Sequence, residues 1–462
     1  MMFRYIFTIT ILFSICFTSV IASGVADASY LGLRDYTYGL LEDGEVDEEE
    51  FIKLVVDQGY KYRFVDWIGD AYHSVFFNNP KGSEVLYNDF VMALCIGYDR
   101  LGKPEELKKP LTRIIDRRLR MWHGTKNSNH YAREYASLAS LAYLLEDERF
   151  SNLQEKLRKS VDKIYLPDGY AYEGPEYGLY AMSILSGYVY FTKDEDVKQS
   201  LINNINYLAS ISSQDRYKPP FDDSLASVLP SKISAFQEVN DYWRANFKFN
   251  NIPDSNTYNK QETIWRYGDT TVWIRHRLRD KEWQGLHRNY SNGDVLLKTN
   301  DTWWLVAPGY VGWDAKSVKP EFHNVAMTKW SYFWRSLWRV FGGQAELLKR
   351  EESGVNKAVI KLAGNIVRTV ESDSSSLVVA DKGKRNYLQF WQINGTLIDQ
   401  KIDGDIITLK WQQGDKILTQ ALSGVYKVSI ENGFHTGESK TEIIEHSRLR
   451  LEGQDIISRF VW

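Results

Sequence analysis

Three polar side chains, those of Asn129, His130 and Arg133, lie close together in the stretch NSNHYAREY, residues 127–135. On a helix, Arg133 is four residues from Asn129 and three from His130, so all three side chains face one surface. An amide and an imidazole beside a guanidinium can bind a carboxylate. The alternative is that Asn127, Ser128 or Asn129 simply caps the helix that starts here. Both interpretations stay open on the stretch alone.

Two phenols follow a Gly-Pro turn in the stretch DGYAYEGPEYGLY, residues 168–180. Tyr177 and Tyr180 are three residues apart, so they share one face of the helix that the turn begins. A phenol can transfer a proton to a leaving oxygen if its pKa is suitable. The alternative is that both tyrosines belong to a hydrophobic core.

Two histidines lie in the C-terminal half, in GLHRNYSNGD and in PEFHN. If the first segment is a strand, one face carries His287, Asn289 and Ser291, and Arg288 points to the other face. His323 lies in a separate loop. Scattered polar residues explain this spacing equally well. The sequence has no HxxxH, CxxC or Gly-rich phosphate loop, so it does not indicate a zincin, a zinc finger or a nucleotide-binding protein.

The elements that must position these residues differ between the two halves of the chain. From about residue 47 to 250, apolar residues recur at three- and four-residue steps between short Gly, Pro or Asp turns, which predicts helical hairpins. From about residue 262, short alternating or apolar runs bounded by Gly, Asn and Asp predict an antiparallel all-β domain, a sandwich of large sheets. The segment at about 246–261 is the predicted linker between the two domains.

Composition narrows the class of protein further. The 462 residues carry a net charge of -3, which argues against a global basic field for nucleic acid. Aromatic residues make up 14%, which suits either a groove lined with flat rings or a large core. Residues 1–23 are typical of a secretory signal peptide, and no other segment is long and apolar enough to cross a bilayer. Removal of the signal leaves Cys95, expected to be a buried, inert thiol.

Taken together, these motifs resemble the heparinase II/III-like polysaccharide lyases. The similarity covers roughly residues 60–460, and YEGPEYGLY and the ordered pair PGY and HN are its most specific parts. It implies an N-terminal α/α toroid, an incomplete barrel of helical hairpins, at 24–255, and a C-terminal antiparallel β-sandwich at 262–462. It also implies a lyase that cleaves a uronic-acid-containing acidic polysaccharide by β-elimination.

The resemblance assigns roles one residue at a time. Asn129 and His130 match positions that contact the uronate, Tyr177 matches the catalytic tyrosine after the Gly-Pro turn, and His287 matches the first histidine of the family's H-x-H-x-D-x-G strand. The expected catalytic residues are Tyr177, His287, His130 and Asn129. The expected substrate-binding residues are Arg133, Tyr180, Glu173, Arg288 and His323.

The chain departs from the family pattern at its zinc site. The second strand histidine is Asn289, its aspartate is Ser291, and the aspartate usual before PGY is Ala307. Many members bind zinc through that second histidine, that aspartate and the histidine of the HN loop, here His323. An amide and a methyl group cannot replace an imidazole and a carboxylate on zinc. We therefore predict no zinc in this site and no other cofactor.

Two other functions stay open. A glycoside hydrolase needs two carboxylates that flank the bond, and the candidates are Glu173 or Glu176 with Asp222 or Asp223. A non-catalytic protein that binds acidic glycans would explain the lost zinc ligands. The signal peptide predicts a periplasmic or secreted protein. The polymer, the mode of attack and the oligomeric state are not set by the sequence.

Overall fold

The structure is a computed structural model that describes residues 34–41, 46–60, 83–120, 129–172, 174–221, 224–246, 252–276, 292–309, 319–337, 345–437 and 442–462. Contacts between Cα atoms divide the chain into two compact units. The first comprises the described parts of Met1–Gly169, Gly178–Asn204 and Lys232–Lys248. The second comprises those of Tyr170–Tyr177, Ile205–Ser231 and Phe249–Trp462.

Helices occupy the N-terminal half, where the three- and four-residue spacing of apolar residues predicts them. Beyond a short helical stretch at 34–39, their bounds are α1 Glu48–Tyr60, α2 Ser83–Arg100, α3 Glu105–Arg120, α4 Asn129–Leu144, α5 Phe150–Ile164, α6 Pro175–Thr192, α7 Glu195–Ile211 and α8 Gln237–Asn246. The prediction of successive helices in this half is confirmed.

Helix α4 is buried on nearly every side, and its packing explains why. It packs against both α2 and α5, and it carries small residues such as Ala132, Ala136 and Ala139 that let its neighbours approach closely. Its buried residues include polar ones such as Ser137 and Ser140 as well as apolar ones. Its polar residues need internal partners, and Glu134 accepts a 2.8 Å hydrogen bond from Arg118 on α3. The packing of α4 therefore fixes the position of its first turn.

Cys95 on α2 belongs to the same interior. It is fully buried, and burial raises the pKa of its thiol. A buried thiol of raised pKa holds little thiolate, so it is a poor nucleophile. The prediction that Cys95 is buried is confirmed, and its inertness stays a prediction.

The second unit is built on one antiparallel sheet. Its strands are β1 Thr257–Tyr258, β2 Glu262–Tyr267, β3 Thr270–Arg275, β4 Val295–Thr299, β5 Thr302–Leu305, β6 Ala326–Thr328, β7 Ala345–Ser353, β8 Val355–Leu362, β9 Ile366–Ser372, β10 Ser376–Lys382, β11 Tyr387–Ile393, β12 Thr396–Asp403, β13 Ile406–Gln413, β14 Lys416–Thr436 and β15 Ile443–Val461. Their order is β1-β2-β3-β4-β5-β11-β15-β10-β9-β8-β7. Strands β12, β13 and β14 join through β15, and β6 pairs with β11.

Most apolar positions of these strands form one core, which includes Trp265, Trp304, Trp391 and Trp411, and a smaller cluster contains Val325, Met327, Leu388 and Phe390. Helices followed by an antiparallel sheet confirm the predicted order of elements. The finer descriptions, a toroid and a sandwich, stay predictions.

Two features differ from the sequence pattern. Strand β1 lies inside the segment predicted as a linker and pairs with β2. A helix that the pattern did not indicate, α9 Lys329–Leu337, interrupts the strands. Across the described ranges, no helix is long and apolar enough to cross a membrane.

Three buried histidines of the second unit have lowered pKa values. Burial lowers the pKa of His276 to about 4, helped by the neighbouring charges of Arg275 and Arg350. Burial likewise lowers that of His435 to about 4 and that of His446 to about 3. The Nε2 atom of His276 lies 2.9 Å from Thr263 Oγ1. These imidazoles are therefore neutral in the folded protein at neutral pH.

Acidification should therefore destabilise the fold. Each of these histidines has a lower pKa in the folded state than in the unfolded state, so acid protonates the unfolded state first. The free energy of unfolding is therefore highest above about pH 6.5 and falls as the pH falls toward 4. For His276 alone the free energy of unfolding should fall by about 2 kcal/mol between pH 7 and pH 5. Urea titrations at pH 7 and pH 5 measure this change in the free energy of unfolding. His276→Gln keeps a polar partner for Thr263 and should make the change smaller. A change as large as that of the wild type would contradict a lowered pKa for His276.

Candidate functional site

Asn129 and His130 are the first two residues of α4. Asn129 is buried and His130 is half-buried. The first turn of a helix carries backbone N–H groups and the positive end of the helix dipole, which together favour an anion. Residues 127 and 128 lie outside the described residues, so capping by their side chains is not tested.

Arg133, one turn further along α4, is fully buried and makes several polar contacts. One nitrogen, Nη2, lies 2.5 Å from Asp89 Oδ1 on α2. The other, Nη1, donates to Ser183 Oγ at 2.9 Å and to the carbonyl oxygen of Tyr180. The guanidinium carbon also lies 3.8 Å from the centre of the Tyr180 ring. Arg133 thus joins helices α2, α4 and α6.

The electrostatics of this group follow from its burial. Burial raises the pKa of Asp89, against the opposing charge of Arg133. Burial also raises the pKa of Tyr180, and Asp89 adds to that shift while Arg133 opposes it. The Tyr180 ring lies 6.5 Å from the His130 ring, at an angle of 65°. We call Asn129, His130, Arg133, Asp89 and Tyr180 the Arg133 cluster.

Tyr177 lies in the first turn of α6 and is half-buried. Gly174, with φ of 103°, makes the sharp turn that precedes it, and Pro175 begins the helix. A positive φ is strained for other residues, and proline suits the first position of a helix. The backbone N–H of Glu176 donates to Ser224 Oγ at 3.1 Å. This hydrogen bond fixes the turn that carries Tyr177.

Lys218 makes a second attachment to the same turn. Its buried ammonium lies 2.6 Å from Glu176 Oε2 and donates to the carbonyl oxygen of Leu225 at 2.8 Å. Burial lowers the pKa of Lys218, and the charge of Glu176 opposes that shift. A buried ammonium requires a partner of opposite charge. Glu176, a candidate hydrolase carboxylate, therefore holds this lysine.

Replacement of Lys218 by Met should loosen the turn. The change removes two hydrogen bonds of a buried group and leaves the Leu225 carbonyl without this donor, so the free energy of unfolding should fall by about 1–3 kcal/mol. Chemical denaturation measures the loss. Lys159→Met, at an exposed pair with Glu155 on α5, should have little effect and serves as the matched control. Equal losses in the two variants would contradict an anchoring role for Lys218.

Pro308 and Gly309, the first two residues of PGY, contact other residues of the second unit. Thr436 donates its backbone N–H to the carbonyl oxygen of Pro308 at 3.0 Å. Gly309 has φ of 67°, and a Cβ atom there would lie 2.2 Å from Thr436 Oγ1 and 3.0 Å from the carbonyl oxygen of Ser224. A side chain at this position would therefore clash, which explains the glycine.

His323 is buried in a polar network of the second unit. Its Nδ1 lies 3.0 Å from Asp294 Oδ2, and the other oxygen of Asp294 accepts from the Asn324 backbone at 2.9 Å. The Asn324 side chain in turn accepts a 2.6 Å hydrogen bond from the Gln392 backbone. These contacts fix the HN loop against the sheet.

Two positions of the resembled family's zinc site lie among the described residues, Ala307 and His323. A zinc ion in a protein needs three or four side-chain ligands. Ala307, a buried residue, offers a methyl group, and His323 faces Asp294. Within the part of the chain that the structure describes, no group of three His, Cys, Asp or Glu side chains could hold a metal ion. Asn289 and Ser291 lie outside that part, so the absence of zinc stays a prediction.

Other predicted residues also lie outside the described residues. They are Glu173, Asp222, Asp223, His287 and Arg288. The structure brings Asn129, His130, Arg133 and Tyr180 together in the first unit, whereas Tyr177 and His323 belong to the second. The roles of all these residues stay predictions.

Three partners of the site residues were not indicated by the sequence. Asp89 pairs with Arg133, Lys218 with Glu176, and Asp294 with His323. Asp89 and Lys218 look like ordinary charged residues in the sequence. Asp294 follows an Asn-Gly pair, which signals a turn but not a histidine partner.

The fold places this chain in a structural class. This chain has the fold of the heparinase-like polysaccharide lyases, with helices first and an antiparallel sheet second. No family model matches the chain, and no curated protein matches its sequence.

Three solved structures carry that likeness. A heparinase III is 11% identical, with 91% of this chain and 80% of that chain covered and a TM-score of 0.65. A second heparinase III is 11% identical, with coverage of 93% and 74% and a TM-score of 0.62. The heparan sulfate lyase HepC from Pedobacter heparinus is 13% identical, with coverage of 94% and 88% and a TM-score of 0.57. At these identities the likeness concerns the fold alone.

Proposed function

We propose that this protein is a polysaccharide lyase that cleaves a uronic-acid-containing acidic polysaccharide by β-elimination. The observation that carries the proposal is the Arg133 cluster. It sets an amide and an imidazole, Asn129 and His130, on the first turn of a buried helix that a fully buried arginine holds in place. The fold shared with heparinase III supports the same conclusion.

The difficult step in this reaction is removal of the proton at C5 of the uronate. The adjacent carboxylate is negative and disfavours a second negative charge on C5. Hydrogen bonds from Asn129 and His130 would neutralise the carboxylate and stabilise the charge that develops there. The N-terminus of α4 would add its dipole to the same effect.

The remaining steps transfer protons. As the C5–H bond breaks, its electrons form the C4=C5 double bond, and the C4–O bond breaks with its electrons on the leaving oxygen. Tyr177 protonates that oxygen, and on substrates of syn geometry it also serves as the base. His287 is the alternative base from the opposite side of the sugar.

Arg133 contributes by positioning in this scheme. Its direct contact with the substrate stays a prediction, but its hydrogen bonds to Ser183 and Tyr180 and its ion pair with Asp89 favour a role in holding α4 and α6. His323 is similarly surrounded by protein groups, which favours a structural role for it. Tyr180, Glu173 and Arg288 are proposed to contact the polymer.

The proposal also includes the architecture of the protein. The helices form an incomplete α/α toroid at 24–255, and the strands form a β-sandwich at 262–462. A signal peptide occupies residues 1–23, and the enzyme uses no cofactor. The mature protein is periplasmic or secreted, and its partner is the acidic polysaccharide.

The decisive experiment is a panel assay with alginate, glucuronan, hyaluronan and heparan sulfate. A lyase creates a double bond, so ultraviolet absorbance should rise with at least one polymer, and His130→Ala should suppress that rise. New reducing ends without a double bond would identify a glycoside hydrolase instead. Binding without turnover on every polymer would identify a glycan-binding protein.

A further inference from the structure

Helix α9 exposes two large aromatic side chains to solvent. Trp330 is 70% exposed and Phe333 is 52% exposed, whereas Trp265, Trp273, Trp304, Trp391 and Trp411 lie in the interior. Adjacent exposed aromatic residues are unusual on a protein surface and commonly mark a binding site. They lie on a helix that the sequence pattern did not indicate and that the proposed reaction does not use.

The two rings form a platform on a helix that is anchored to the sheet. Their centres are 6.4 Å apart and their planes differ by 26°, so both faces point in nearly the same direction. Tyr332, on the same helix, packs its ring 5.5 Å from that of Phe390 in the sheet. The helix begins with the backbone N–H of Ser331 donating to Thr328 Oγ1 at 3.2 Å. These contacts fix the helix that carries the two rings.

Basic residues lie beside this platform. Lys329, Lys427 and Arg450 all lie within 4.0 Å of one carboxylate, that of Glu452. Arg448, Glu431 and Glu321 also act on Tyr332 of the same helix, so four cations against three anions leave a local excess of one positive charge. Lys329 and Lys427 keep 52% and 64% of their side chains exposed, so both reach solvent.

The phenol of Tyr426 extends the surface. It is 58% exposed, accepts a 3.1 Å hydrogen bond from Lys329 Nζ and lies 3.3 Å from Glu452 Oε2. Flat rings present faces against which the C–H groups of a sugar ring pack, and a positive field attracts carboxylates and sulfates. Protein partners would also accept exposed aromatic residues, but the adjacent excess of positive charge selects an acidic chain.

We propose that Trp330, Phe333, Tyr426, Lys329 and Lys427 form an accessory binding site for an acidic polysaccharide strand. The site is separate in sequence from the Arg133 cluster and from Tyr177. The inference rests on the proposed function for the choice of a uronate polymer. The site itself binds the polymer and takes no part in catalysis. Its contribution is to retain a long chain on the protein between cleavage events.

The experiment measures binding and turnover separately. Migration of the full-length protein in native gels that contain a uronate polymer gives an affinity without any need for cleavage. The double variant Trp330→Ala/Phe333→Ala should bind the polymer about tenfold more weakly, and Lys329→Gln should reduce the salt dependence of binding. The rate at which a short oligosaccharide is cleaved to an unsaturated product should not change. Ile402→Ala and Lys401→Gln, at exposed positions of β12, are the matched controls.

Each outcome bears on the inference. Unchanged affinity in the double variant, or equal retardation by a neutral glucan, would overturn it. A change in oligomeric state of the double variant, measured by light scattering, would show instead that this face joins two copies of the chain. If wild-type protein binds the polymer through this site but cleaves nothing, the inference stands and the proposed lyase activity fails.

Discussion

Replacement of Tyr177 by Phe should abolish most of the turnover while polymer binding persists. The change deletes one hydroxyl group, which in the proposed mechanism protonates the leaving oxygen. General acid catalysis by a positioned side chain contributes roughly 10²–10⁴-fold to a rate, so turnover should fall by about that factor. Because the ring is retained, the Michaelis constant should change little. Initial rates of double-bond formation over a range of polymer concentrations measure both quantities.

Tyr190→Phe supplies the matched control for that experiment. Tyr190 lies on the same helix α6, is half-buried, and packs its ring 5.0 Å from that of Phe191. Its loss of a hydroxyl group should leave turnover near the wild-type value. Full activity in Tyr177→Phe would exclude Tyr177 as the acid.

Replacement of Arg368 by Met should greatly lower the free energy of unfolding. Arg368 makes two 2.8 Å hydrogen bonds to the carboxylate of Asp381, and both side chains are fully buried. Its Nη1 also donates to the carbonyl oxygens of Gly293 and Asn324, next to Asp294 and His323. Removal of one partner of a buried ion pair leaves an uncompensated charge and costs about 3–5 kcal/mol. Denaturant titration of the purified variant measures this loss.

The double variant Arg368→Met/Asp381→Leu separates the charge effect from the packing effect. It should recover part of the stability, because no buried charge is left without its partner. Lys357→Met, which breaks the more exposed pair with Glu371 between β8 and β9, should change stability little. A loss in Arg368→Met no greater than in Lys357→Met would contradict the expected role of the buried pair.

Local pattern determined most elements of this protein, although not β1 or α9. The apolar spacing of SEVLYNDFVMALCIGYDR predicts α2, and the observed helix spans Ser83–Arg100. The Gly-Pro pair before Tyr177 predicts the turn that begins α6, and Gly174 has the positive φ that such a turn requires. The Gly-Asp pair at 414–415 predicts a hairpin turn, and Gln413 pairs with Lys416 across it. These features depend on residues close together in the chain, so one sequence window contains them.

Tertiary structure decided which residues support the candidate site. Asp89 is 44 residues from Arg133, Lys218 is 42 from Glu176, and Asp294 is 29 from His323. The placement of β15 between β11 and β10 was likewise outside the reach of local spacing.

The physical reason is that burial creates the need for each of these partners. A charged group is costly to bury alone, but whether a given residue is buried depends on how distant elements pack. The residue types of the Arg133 cluster are present in NSNHYAREY, and the sequence by itself indicated that they share one face of a helix. That Arg133 is enclosed, and that its charge is met by Asp89 instead of by solvent, follows from the packing of α2 and α6 around α4.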